Sequence, residues 1–390
     1  MNKRVYFLMI VAFVVGMVEL IIGGLLDLMA KDLGVSLGQV GFLITIFSLI
    51  FAVGAPILLI LTSNIERKKL TLISLFIFLL GNIVTVFSPT YTVVFIGRVI
   101  SALSGSLLII LCLTIAPSIV YPKYRGRAIG IVSMGVSASI VLGLPVGLVL
   151  GNAFGWRAPF VLIAVLTVLS MAGVFFLMEQ IEPKPSSTIG EQLATLKNRR
   201  IFFGQVITFL FMTGHTVLYA YLTPFVKTTM GMDGTWVSII YMIFGIAAVS
   251  GGAVGGTLSD TIGPKRTIML TIVIFTMVMF TIPYTTFALT AFLLILVVWG
   301  MLSWTLAPAT MSYLIGLSPE TSDIQQSLNN SALHLGIAFG SLIGGLVIEQ
   351  VSVEQNATIG GFFVILSIGA ALISMYRRQN SRLVRSSKAD

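Results

Sequence analysis

Long apolar runs separated by short polar segments dominate the chain. A helix of about twenty apolar residues crosses the hydrocarbon core of a bilayer and satisfies its own backbone hydrogen bonds. The pattern therefore predicts an all-α membrane protein with many spans. Twelve runs are long enough, and the predicted spans are 5–29, 39–62, 70–88, 92–117, 128–150, 158–178, 201–225, 236–257, 267–285, 288–314, 327–348 and 358–376.

Composition excludes a soluble fold. Of the 390 residues, 57% are hydrophobic and 9% are charged, whereas about a quarter are charged in an ordinary soluble domain. No water-soluble fold of this size could bury so much apolar surface. The first apolar run is too long for a signal peptide and contains Glu19, so we interpret it as an uncleaved first span.

The basic residues predict the orientation, because Lys and Arg accumulate in cytoplasmic loops. With the N-terminus inside, 19 of the 23 basic residues fall on the cytoplasmic side, so both termini are predicted to be cytoplasmic. This asymmetry and contact with anionic lipid headgroups account for the net charge of +9, and we expect no binding to nucleic acid. The single cysteine, Cys112, excludes an intramolecular disulfide.

A polar segment from Glu179 to Arg200 divides the chain into six spans plus six. The predicted domains are 1–178, a cytoplasmic linker at 179–200, 201–376, and a basic cytoplasmic tail at 377–390. Pairs of glycines recur 197 positions apart, for example Gly54 and Gly251, or Gly143 and Gly340. Such a repeat predicts two six-helix bundles with substrate held between them near the bilayer midplane.

Two motifs resemble the major facilitator superfamily. Gly256-Thr-Leu-Ser-Asp260-Thr-Ile-Gly263-Pro-Lys265-Arg266 is similar to its cytoplasmic loop signature, and the first-half copy has Ser63 in place of the usual Asp and Glu66 in place of a Gly. Gly143-Leu-Pro145-Val-Gly147 resembles the antiporter signature of drug-efflux members. With Thr213-Gly-His215 and Gly155-Trp156-Arg157, these motifs resemble the sugar-efflux and chloramphenicol-resistance branch of bacterial drug:proton antiporters.

The resemblance implies conformational roles for the loop and helix motifs. An acid near a helix end and basic residues beside it could form a latch that depends on conformation. Alternatively, the loops serve as topology signals only, and the glycines serve ordinary helix packing. The residues concerned are Arg67, Lys68, Gly143, Pro145, Gly147, Gly256, Asp260, Gly263, Lys265 and Arg266.

Three ionisable residues in predicted spans are candidates for proton coupling, because burying charge in a bilayer is costly. Glu19 lies near the middle of the first span, where desolvation would favour the protonated form, and we predict it as the proton carrier. Asp27, two turns later, is either a second titrating group or a solvated helix end. Arg98 in the fourth span either exchanges partners with the acids or forms a static ion pair.

Polar and aromatic side chains in other spans are candidates for the substrate cavity. His215 lies one residue from the repeat position of Glu19 and could contact substrate or a proton, or else be a buried hydrogen-bonding residue. The two histidines lie on separate spans and form no recognisable metal site. The full set of cavity candidates is Asn82, His215, Tyr219, Trp304, Asn330 and His334.

The motifs for ATP hydrolysis and for nucleophilic catalysis are missing from the sequence. We therefore predict a secondary transporter, not an enzyme, without a cofactor. The resemblance implies export of a drug, sugar or related metabolite in exchange for protons, in a bacterial cytoplasmic (inner) membrane, by a lipid-embedded monomer. A proton-coupled uptake symporter and a lipid-handling membrane protein remain alternatives. The sequence does not identify the substrate.

Overall fold

A computed structural model describes residues 3–121, 124–182 and 189–376. The described chain is all-helical, and twelve of its helical spans are long and apolar enough to cross a membrane, as predicted. The α-helices are α1 Lys3–Leu33, α2 Leu37–Leu61, α3 Arg67–Val86, α4 Tyr91–Ser118, α5 Arg125–Ala138, α6 Leu144–Phe154, α7 Ala158–Leu177, α8 Ile189–Thr195, α9 Arg199–Tyr219, α10 Leu222–Met230, α11 Gly234–Ile262, α12 Pro264–Thr281, α13 Leu289–Leu317, α14 Ser322–Gln350 and α15 Gln355–Met375.

Turn residues set the helix ends. After α1, Gly34 adopts a positive φ of 65°, which a residue without a Cβ tolerates. Ser36 then begins α2 with a capping box, in which its side chain accepts from the Gln39 N–H and the Gln39 side chain accepts from the Ser36 N–H. Gly263, at φ 89°, separates α11 from Pro264, the first residue of α12.

Two predicted spans are not continuous α-helices. The predicted span 128–150 consists of α5, a π-helical segment Ser139–Gly143, and α6. Pro145 has no N–H for the carbonyl of Val141, and the helix widens just before it. The predicted span 201–225 breaks after Tyr219, because in a continuous helix the ring of Pro224 would clash with the carbonyl of Ala220.

The predicted linker contains the short helix α8. Its Pro- and Ser-rich residues 183–188, like the tail 377–390, lie outside the described residues. The domain bounds at 178, 200 and 376 stay predictions.

The helices pack as two groups. Helices α1 to α7 contact one another, α9 to α15 contact one another, and the groups meet where α2 packs on α14, α1 on α10, and α6 on α11. We call the side where α1 begins and α15 ends the terminal face, and the side where α1 ends the far face. Of the site residues predicted from the sequence, those that lie along the interface between these two bundles are Glu19, Asp27, Asn330 and His334.

Candidate functional site

Helices α2 and α14 form the longest contact between the bundles. Ser331 Oγ donates to the Ala52 carbonyl at 2.8 Å, and Ser341 Oγ donates to the Gly41 carbonyl at 2.9 Å. Towards the far face, Ser36 Oγ hydrogen-bonds to Glu349 of α14. Because side chains of one helix bond the backbone or side chains of the other, the two helices are held close over their middle and far portions.

The bundles are also joined at the far face through α1. Asp27 Oδ2 lies 2.7 Å from Lys227 Nζ on α10, and both side chains are partly exposed. One turn earlier, the Gly23 carbonyl accepts hydrogen bonds from Thr223 Oγ1 at 3.0 Å and from the Tyr241 hydroxyl at 3.2 Å. These bonds close the interface on the far face.

On the terminal face, a cavity of about 580 Å³ lies between the bundles. Its deep end is formed by Ala55 of α2 and by Asn330 and Ser331 of α14, and its mouth carries Arg67 and Glu320. Asn330 lines this cavity, and its contact with substrate stays a prediction. A cavity open on one face, with the other face bonded shut, is the geometry that alternating access requires of one of its states.

Glu19 lies in the interface just beyond the deep end of this cavity. Its Oε1 is 3.1 Å from Nδ1 of His334 on α14, although the angle is not that of a hydrogen bond. The His334 ring packs on Phe51, with ring centroids 4.9 Å apart. His334 follows Asn330 by four residues, so the contact lies about one helical turn, roughly 5 Å, beyond the cavity lining.

Arg98 of α4 reaches α1 at Val18, the residue next to Glu19. Its guanidinium is fully buried, donates from Nη1 to the Val18 carbonyl at 2.7 Å, and lies 4.0 Å over the Phe47 ring. In the part of the chain that the structure describes, its Nε and Nη2 have no hydrogen-bond partner. Arg98 also has a favourable Coulombic interaction with Glu19. The carboxyl of Glu19 thus has a basic neighbour in each bundle.

The other predicted cavity residues lie elsewhere. His215 is buried in an aromatic cluster of the second bundle, with its ring centroid 5.0 Å from that of Tyr219 and 5.5 Å from that of Trp299. Asn82 is buried and donates to the Phe78 carbonyl of its own helix at 2.7 Å. Trp304 packs against the apolar core. These residues do not line the cavity described above, and their contact with substrate stays a prediction.

Comparison with known proteins settles the family. The sequence profile of the Major Facilitator Superfamily matches residues 8–324. The chain belongs to this superfamily. It is 34% identical to the uncharacterized MFS-type transporter YbcL of Bacillus subtilis (strain 168), over 95% of each chain, and 31% identical to the uncharacterized MFS-type transporter YtbD of the same organism, over 94% of this chain and 93% of the relative. The protein is therefore a multi-pass membrane transporter, not an enzyme.

Solved structures show the same superfamily fold. A bacterial homologue of the human lysosomal transporter Spinster, in an inward-facing and occupied conformation, superposes with a TM-score of 0.82 at 15% identity, covering 95% of this chain and 96% of that one. Its inward-facing and unoccupied form superposes with a TM-score of 0.79 at the same identity and coverage. At this identity the likeness concerns the fold alone.

The segment from Gly143 to Gly147 faces α1, the helix that carries Glu19. A Cβ added to Gly143 would collide with the Met17 side chain, and one added to Gly147 would collide with Ile21. Pro145 lies between them, next to the π-helical segment. The close approach predicted from the glycine spacing is therefore between α6 with its preceding π-helical segment and α1, within the first bundle. A sliding motion between these helices stays a prediction.

The first-half loop departs from the superfamily signature at Glu66, and the structure gives this departure a role. The Glu66 carboxylate accepts from the backbone N–H groups of Lys68 at 2.7 Å, Lys69 at 2.8 Å and Ile181 at 2.7 Å. Burial alone would raise the pKa of Glu66, but these hydrogen bonds and the charge of Lys68 lower it below its usual value. Glu66 therefore caps α3 and anchors the start of the linker to it.

The second-half loop is exposed. Asp260, Lys265 and Arg266 all face solvent around Gly263, and a Cβ at Gly256 would meet open space. Across the described ranges, these three charged side chains form no ion pair. A latch in this loop stays a prediction.

Sequence reasoning missed three residues of the site. Phe47 and Phe51 lie among other apolar residues of α2, so their contacts with Arg98 and His334 left no signal in the pattern. Lys227 lies two residues beyond the predicted span 201–225. Its position near a predicted span end, level with Asp27, was the signal that could have paired them.

Proposed function

We propose that this transporter exports small molecules in exchange for protons, with Glu19 as the proton carrier. The observation that carries the proposal is the position of Glu19 between the bundles, 3.1 Å from His334 and beside Arg98. Only a group in this interface can be reached from one face and then from the other as the bundles rock.

The direction of transport rests on two supports. The resemblance of the Gly143 to Gly147 motif to exporters favours antiport. The cavity on the terminal face would admit a substrate from the cytoplasm if both termini are cytoplasmic, as the basic residues indicate. We further propose a monomer in the bacterial cytoplasmic membrane, with anionic lipids around its basic face.

Liposomes containing the purified protein test the proposal. An antiporter accumulates its substrate when the interior is more acidic than the exterior, since protons leaving drive substrate in. We expect the parent to accumulate labelled chloramphenicol or lactose under this gradient, two neutral probes suggested by the efflux branch. Glu19→Gln should lose the accumulation and keep exchange of labelled for unlabelled probe, because exchange needs no net proton movement.

Glu354→Gln is the matched control, because Glu354 is an exposed acid next to α15, and it should accumulate the probe as the parent does. Gradient-driven accumulation by Glu19→Gln at the parental rate would remove Glu19 from the mechanism. Accumulation only when the exterior is more acidic would identify a symporter.

A further inference from the structure

Glu19 faces two basic groups that differ in how they carry charge. Arg98 belongs to the same bundle as Glu19, and a guanidinium stays protonated at all physiological pH values. His334 belongs to the other bundle, and an imidazole is charged only when it binds a second proton. The attraction between Glu19 and its own bundle is therefore permanent, whereas its attraction to the opposite bundle depends on a proton.

The other described titratable groups near this contact are engaged or distant. On the helices that pack against α1 and α14, the sequences of α2, α6, α7 and α15 contain no titratable side chain. Other groups in the membrane are Asp27 with Lys227 at the far face, Tyr241 bonded to the Gly23 carbonyl, Tyr221 bonded to the Ser341 carbonyl, Tyr91 bonded to the Gln39 carbonyl, Tyr313 bonded to the Ser374 carbonyl, His215 and Tyr219 in the aromatic cluster, and buried Cys112. Towards the faces lie Glu349 next to Ser36, and Glu320, Arg125, Arg127, Arg199 and Arg200 on the terminal face.

We infer that His334 is a proton-coupling residue that shares one proton with Glu19. With this proton bound, the Glu19 carboxylate pairs with His334 of the second bundle, and without it the carboxylate pairs with Arg98 of the first bundle. The inference rests on the proposed function. The proton moves from the Glu19 carboxyl to Nδ1 of His334, leaving a carboxylate and an imidazolium, and the net charge of the pair is unchanged. The ion pair formed in this way joins α1 to α14.

Loss of the proton reverses this preference. A neutral imidazole no longer attracts the carboxylate, and the two Arg98 nitrogen atoms that lack partners among the described residues become its best partners within the first bundle. One tie between α1 and α14 is then released. Proton binding should therefore favour the arrangement with the far face closed, and proton release should favour its opening.

Distances between spin labels across the far face test this inference. Lys31 of α1 and Thr228 of α10 are exposed and flank the Asp27–Lys227 pair, and labels can be attached there after Cys112→Ala. For the parent, we expect the short-distance population to rise as the pH is lowered from about 8 to about 5, because added protons favour the ion pair between α1 and α14. His334→Gln should abolish this pH dependence. His334→Lys, whose ammonium is favoured in its charged form by the adjacent Glu19 carboxylate, should give the short-distance population at all these pH values.

Glu354→Gln is again the control and should keep the pH dependence of the distances, because Glu354 is an exposed acid next to α15. A parent whose distances do not respond to pH, or a His334→Gln variant that responds like the parent, would overturn the inference. Since His334→Gln and His334→Lys are expected to change the distances differently, a general loss of folding in one of them cannot imitate the result. The liposome assay of Glu19→Gln tests the proposed function separately, because it does not involve His334.

Discussion

Arg98 is buried with only part of its hydrogen-bonding capacity satisfied within the described ranges. A buried polar group without a hydrogen bond costs about 1–3 kcal/mol, and more when it is charged. Arg98 has one hydrogen bond, to the Val18 carbonyl, and the face of Phe47, while two of its nitrogens lack partners among the described residues. The negative charge of Glu19 offsets this cost, so the protonation of Glu19 and the environment of Arg98 are linked.

Arg98→Lys tests whether the shape of the guanidinium matters. A lysine keeps the positive charge but has a single ammonium in place of the planar guanidinium. It cannot donate to the Val18 carbonyl, stack over the Phe47 ring and donate to Glu19 at the same time. Losing one charge-assisted hydrogen bond costs about 1.5–3 kcal/mol, so we expect accumulation under an acid interior to fall at least about tenfold. Arg199→Lys is the control, because Arg199 is an exposed arginine that lies over Phe203. Parental accumulation by Arg98→Lys would show that positive charge alone is sufficient.

At the scale of elements, the contact between α1 and the α5 to α6 span positions Glu19. Gly135, Gly143 and Gly147 lie four or eight residues apart and face α1 along its length. At Gly135 the neighbour is the backbone carbonyl of Met9, so no side chain there can move aside. This spacing lets the two helices approach closely and fixes the position of α1 along its own axis relative to the α5 to α6 span.

Gly135→Ala should separate these helices. Its Cβ would collide with the Met9 carbonyl, and overpacking of this kind costs about 1–3 kcal/mol. We expect a lower unfolding temperature in detergent and slower exchange of probe in liposomes. Gly130→Ala provides the comparison on the same helix, since a Cβ there meets open space, and its unfolding temperature should not fall. Equal unfolding temperatures for the two variants would mean that the close contact is not needed.

The whole molecule is closed at the far face and open at the terminal face. The closing bonds are few, and the Asp27 and Lys227 side chains are 25% and 35% exposed. A partly exposed ion pair contributes about 0–1 kcal/mol. The closure is thus weak enough for the bundles to separate at the far face during transport.

Asp27→Asn should shift the molecule towards opening at the far face. We expect the short-distance population of labels at Lys31 and Thr228 to fall by at most about fivefold, the effect of roughly 1 kcal/mol. Lys227→Gln should have the same effect, and the double variant should add little, because both changes remove one interaction. Arg4→Gln removes the ion pair between the start of α1 and Glu179 at the start of the linker, which does not join the bundles at the far face, and should leave the distances unchanged. Additive effects of Asp27→Asn and Lys227→Gln would show that the pair does not act as a unit.

The sequence alone determined the number of spans, their helical nature and the identity of the ionisable residues within them. The reason is that the bilayer requires about twenty apolar residues per span and makes each buried charge conspicuous. Glu19, Asp27 and Arg98 therefore stand out from the apolar residues around them in the chain. The prolines at 145 and 224 marked possible breaks, because proline removes a backbone hydrogen bond. The sequence did not show which prolines interrupt a span, since α2, α4 and α13 continue through Pro56, Pro117 and Pro308.

Only the tertiary structure decided which of these residues meet. The internal repeat favoured His215 as the counterpart of Glu19, whereas the structure places His334 beside Glu19 and His215 among aromatic rings. Lys227 and Asp27, far apart in the chain, also pair only in the assembled bundles. In a membrane protein the helix faces that meet lipid and those that meet protein are both apolar. Hydrophobic periodicity consequently cannot tell which face of α1 or α14 points to the other bundle, and only packing of the two bundles determines it.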